Sequence, residues 1–176
     1  MIDELTTQTD RMRYTKNTAS SRLALLAIVF DVLFFVSIYK SDVGTHYYTI
    51  LIGASIIYNL VFMLAAFLCS EGVKNYKKGY SWVLILLAVL QIVRIFILPV
   101  KMHTAVNGAP IETSIQLLSM HFNVTMDNLV MGDWQFIRVC FYLTASTFCL
   151  FRAAMINIRK SNALAAHLEN LGLMQA

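Results

Sequence analysis

The sequence has little charge: Asp, Glu, Lys and Arg make up 14% of its 176 residues, against about 25% in an average soluble domain. Only two prolines and seven glycines are present, which excludes collagen-like and low-complexity chains. The three cysteines, Cys69, Cys140 and Cys149, form no Cys-x-x-Cys pair, which argues against a membrane thiol oxidase. Cys140 and Cys149 sit nine positions apart. On one helix that is roughly 13 Å, too far for a disulfide, so buried, inert thiols are expected. No phosphate loop, Gly-rich dinucleotide turn or Gly-x-Ser-x-Gly elbow occurs. The histidines His46, His103, His121 and His167 lack zinc-ligand spacing. His103, Glu112, His121 and Asp127 share one loop, yet in no metal-site pattern. Neither a metal nor a cofactor is expected.

What the chain has instead is apolar residues: they make up 58% of it, and its mean hydropathy is +0.63. They are blocked into four runs, Leu23–Tyr39, Tyr47–Cys69, Tyr80–Val100 and Trp134–Ile156. A hydrocarbon core of about 30 Å takes roughly 20 helical residues to cross. Lipid offers exposed backbone no partner, and the alternation of a membrane barrel is missing, so the runs read as helices. The expected fold class is therefore an all-α integral membrane protein. Residues 1–176 form one domain of four transmembrane helices in a bundle. The first run has a basic flank like a signal peptide's, but it is too long and lacks a cleavage pattern, so it reads as retained. Thr18 or Ser20 is the expected cap of that helix.

Orientation follows from the basic residues. Ten of the fourteen Lys and Arg fall in the N-terminal tail, the 71–79 turn and the C-terminal flank, and only Lys40 and Lys101 on the opposite side. The bias predicts both termini in the cytoplasm, in a plasma or bacterial inner membrane. The net charge of +4 thus reports topology rather than nucleic-acid binding. Residues 101–133 form the one long outer segment. Ile111, Ile115, Leu118, Phe122, Met126 and Leu129 recur there at spacings of three and four, which predicts an amphipathic helical segment at the outer interface. The 157–176 tail carries a weaker pattern, Leu164, Leu168 and Leu171, read as a helical extension, a surface helix or a loose tail.

Four polar residues interrupt the runs near one depth. Counted from the cytoplasmic end, Asp31 lies roughly 12 Å in, Asn59 roughly 15 Å, Gln91 roughly 16 Å and Arg94 roughly 21 Å. Gln91 and Arg94, three apart, share a face. Ala24 and Ala27 precede Asp31, and Ser55 and Ala66 flank Asn59, at spacings that mark close helix contacts. An Asp31–Arg94 pair, with amides meeting the remaining hydrogen bonds, offsets much of the cost of a charge in lipid. Ala145, Cys149 and Ala153 form a second small-residue stripe suited to helix contact, within the chain or between chains.

These features suit three functions, in this order: an accessory or structural subunit with a homo- or hetero-oligomeric membrane partner; an oligomeric transporter or channel using the layer around Asp31 and Arg94; and a lipid-modifying enzyme. The bilayer itself is an expected partner and nucleic acid is not. No catalytic constellation is apparent.

Overall fold

The computed structural model describes residues 11–12, 15–38, 46–97, 99, 113–117, 120–124 and 133–170. Four helices, α1 (Thr18–Ile38), α2 (His46–Lys74), α3 (Lys78–Ile97) and α4 (Asp133–Asn170), carry the core. Each contains a stretch long and apolar enough to cross a membrane. Between α3 and α4 lie two short strands, β1 (Thr113–Leu117) and β2 (Met120–Val124).

α1 packs on α2 and α4, and α3 packs on the same two helices. Round the bundle the order is therefore α1, α2, α3, α4, with α1 and α3 on a diagonal. Alanine makes the close approach possible: Ala24, Ala27, Ala66, Ala88, Ala153 and Ala154 are all buried in one cluster with Phe62, Leu84 and Leu150. A second cluster, Phe34, Ile38, Val139 and Leu143, fills the end where α1 finishes and α4 starts. Many other long aliphatic side chains, of the kind a soluble protein would bury, point outward instead. Ile57, Val61, Leu64 and Leu86 are all exposed, on helices long and apolar enough to cross a membrane.

The first helix begins earlier than its apolar run. Ser21 N–H donates to Asn17 C=O at 3.4 Å, so the cap is Asn17 rather than Thr18 or Ser20. α2 ends in a Schellman turn: Lys77 N–H reaches Gly72 C=O at 3.3 Å and Tyr76 N–H reaches Val73 C=O at 3.2 Å. Tyr76 takes the left-handed position at φ 57°, where glycine is usual. Gly72, buried one turn back, lies under the Tyr80 ring.

One expectation is corrected. The outer segment carries an antiparallel hairpin where an amphipathic helix was expected, with Ile115 opposite Phe122, Gln116 opposite His121 and Leu117 opposite Met120. Met120 to Val124 alternates apolar and polar strictly, and that period of two prevails over the three–four spacing of the longer stretch. Of the three readings of the 157–176 tail, the helical extension of α4 is the one found. It runs on to Asn170, roughly 20 Å past Asn157. Residues 171–176, and His103, Glu112 and Asp127 of the outer segment, lie outside the described residues.

Candidate functional site

The polar layer is built by three helices. Asp31 stands on α1, Ser55, Tyr58 and Asn59 on α2, and Gln91 and Arg94 on α3. Asp31, at 1% exposure, and Arg94, at 6%, form a salt bridge of 3.0 Å between Oδ1 and Nη1. The same Oδ1 accepts from Gln91 Nε2 at 2.9 Å. Arg94 Nη1 also donates to Asn59 Oδ1 at 2.7 Å, and Nη2 to Ser55 Oγ at 3.3 Å. The structure thus brings Asp31, Asn59, Gln91 and Arg94 into one network and adds Ser55. The i, i+3 spacing on α3 lets Gln91 and Arg94 grip one carboxylate oxygen, and the i, i+4 spacing on α2 lets Ser55 and Asn59 take the two ends of the guanidinium.

Two aromatic rings complete the cradle. The guanidinium carbon lies 4.2 Å from the Phe34 ring centroid and 4.7 Å from that of Tyr58. The ring faces offer negative charge to a cation that water cannot reach, worth about 2 kcal/mol or more in a desolvated setting. The assembly is net neutral, and its charges are hydrogen-bonded to amides, which is what makes a buried ion pair tolerable. Four polar atoms around it have no hydrogen-bond partner among the described residues: Asp31 Oδ2, Asn59 Nδ2, Gln91 Oε1 and Tyr58 Oη.

A second polar layer, which the sequence did not mark, lies about 21 Å away along α1. Asn157 Nδ2 donates to Ser81 Oγ at 2.7 Å and to Lys77 C=O at 3.2 Å. Its Oδ1 accepts from Asn17 Nδ2 at 3.1 Å. Asn17 N–H in turn donates to Lys74 C=O at 2.9 Å, and its Oδ1 accepts from Lys160 Nζ at 3.3 Å. All four helices are tied at this end by two asparagines. Between the layers, Ser146 Oγ donates to Ala27 C=O at 3.1 Å and joins α4 to α1.

The small-residue stripe faces inward. Cys149 and Ala153 belong to the buried core with Ala24 and Ala27, and Ala145 is half-buried. They serve contact within the chain. Cys69, Cys140 and Cys149 are all free thiols. Among the described residues no three His, Cys, Asp or Glu side chains converge as a metal site would require.

Fold and network together define a bundle of four membrane-length helices with a charged, internally bonded centre. No family model, curated protein or solved structure matches the chain.

Proposed function

We propose that the chain is a small accessory or structural subunit of a membrane complex, with both termini cytoplasmic, in a plasma or bacterial inner membrane. Asp31 and Arg94 act as its internal clamp. The observation that carries this reading is the closure of the pair inside one chain: carboxylate and guanidinium lie 3.0 Å apart on diagonal helices, with Asn59, Gln91 and Ser55 taking further bonds. Charges bonded in this way need no partner subunit to neutralise them, and they fix the register of α1, α2 and α3.

The contact surface for a partner is then the outward face of α4, the longest helix. Trp134, Ile137, Phe141, Phe148 and Phe151 are exposed along it, at the three–four spacing on which a second helix packs. The ten-to-two bias of basic residues supports the orientation.

The test is purification in mild detergent from the native membrane, followed by mass determination and flux assays in proteoliposomes. A stoichiometric complex with no intrinsic solute or proton flux is expected. A lone chain that conducts or exchanges a solute would replace the clamp with a transport path through the same residues.

A further inference from the structure

α4 outlasts the bundle. Asn157 bonds to Asn17 and to Lys77 C=O, so α1, α2 and α3 all start or finish near its level. The helix then runs on to Asn170, past the ends of the other three. A helix standing alone in water shows every side equally, and this one does not. Ser161, Leu164, Ala165 and Leu168 are half-buried, whereas Asn162, Ala163, Ala166 and Glu169 are exposed. The half-buried set recurs at spacings of three and four, as one stripe of a helix does, and it continues the face that carries Asn157. A cover therefore lies along that stripe for roughly 10 Å.

The place where the chain enters α1 points to the occupant. Lys160 Nζ donates to Asn17 Oδ1 at 3.3 Å, so the residues before α1 begin beside the root of the stripe. Thr15 N–H donates to Arg11 C=O at 3.1 Å, and Met12 is half-buried, so the chain folds against this end of the bundle rather than leaving it. Residues 1–10 lie outside the described residues, and their reach is sufficient. Leu168 stands eight residues past Lys160, roughly 12 Å. The twelve residues from Leu5 to Asn17 span roughly 18 Å even when helical.

Charge is complementary as well. Residues 1–10 hold Ile2 and Leu5 among the acids Asp3, Glu4 and Asp10, with no Lys or Arg. The end of α4 sets Leu164 and Leu168 among Arg159, Lys160 and His167. Residues 171–176 carry no charged side chain and start from the far end of the stripe, so they match neither its basic groups nor its root.

We infer that residues 1–10 dock along the Ser161–Leu168 stripe of α4, with Ile2 and Leu5 on its leucines and the three acids toward Arg159, Lys160 and His167. The inference is independent of the partner proposed for α4, whose surface ends at Phe151.

The test is the rate of maleimide labelling at single introduced cysteines in the purified full chain in micelles, read peptide by peptide so that the native thiols are scored separately. Leu164→Cys and Leu168→Cys sit on the stripe, and Ala163→Cys on the exposed side serves as the reference. Cysteine on the stripe should label about tenfold more slowly than at position 163, as under a docked segment that opens locally. Ile2→Ser with Leu5→Ser should bring the stripe up to the reference rate, while Cys149 in the core stays unlabelled. Both stripe positions labelling as fast as position 163 in the otherwise unchanged chain would mean that nothing is docked. A stripe that stays protected in the double serine variant would mean that residues 171–176 or a second copy cover it. Cys149 labelling along with the stripe in that variant would mean that the whole bundle opens. Any of these three results overturns the inference.

Discussion

Asn17 and Asn157, 140 residues apart in sequence, share a hydrogen bond of 3.1 Å from Nδ2 to Oδ1, and both are fully buried. Asn17 starts α1, and Asn157 sits where α4 leaves the bundle. Through them the ends of all four helices are held at one level.

Asn157→Leu keeps the volume but strands Ser81 Oγ, Lys77 C=O and Asn17 Nδ2 with fewer partners. A buried polar group left short costs about 1–3 kcal/mol, so the thermal midpoint in detergent should fall clearly. Asn162→Leu, on the exposed side of the same helix, should change stability by no more than about 0.5 kcal/mol. Equal effects from the two substitutions would show that the asparagine cluster holds nothing together.

Gly72 is needed for the way α3 turns back on α2. A Cβ there would overlap the Tyr80 ring, and overpacking of that kind typically costs about 1–3 kcal/mol. Gly72→Ala should therefore destabilise the protein, and Tyr80→Ala added to it should relieve much of the loss. If the two losses simply add, the ring and the glycine are not coupled.

Tyr76 holds a left-handed backbone at φ 57°, a conformation that costs an ordinary L-residue roughly 1–2 kcal/mol. Tyr76→Gly should raise the thermal midpoint by the equivalent of about 1 kcal/mol, the half-buried ring offsetting the remainder. A lowered midpoint would mean that the ring's contacts outweigh the backbone strain.

How far the fold could be read in advance varied with how unusual each residue was for its surroundings. Asp31 and Arg94 stood out because an ionised group in a long apolar run is costly and therefore rare. Asn59 and Gln91 followed because they lie at nearly the same depth. Phe34 and Tyr58, whose rings lie against the guanidinium, carry no such mark, since aromatic residues occur throughout the spans. Asn17, Ser81 and Asn157 carry no mark in the sequence for the opposite reason. Polar residues are ordinary at helix ends, and only the packing of four ends together turns them into a cluster. The hairpin is masked in the sequence because residues 113–124 fit two periods at once, and the strict alternation over Met120–Val124 is the better guide. The extension of α4 past Ile156 was one of three open readings, because its last turns are polar enough to resemble a tail.

The central claim is that Asp31 and Arg94 form one internal clamp, and a double-mutant cycle on unfolding free energy in mixed micelles tests it most directly. Asp31→Asn leaves the guanidinium without its counter-charge, and Arg94→Gln leaves the carboxylate without its own. Removing one member of a buried pair typically costs about 3–5 kcal/mol, because the other charge stays behind. Each single variant should lose stability on that scale, and the double variant, which holds no lone charge, should recover much of it. A double variant as damaged as the sum of the two singles would contradict the account.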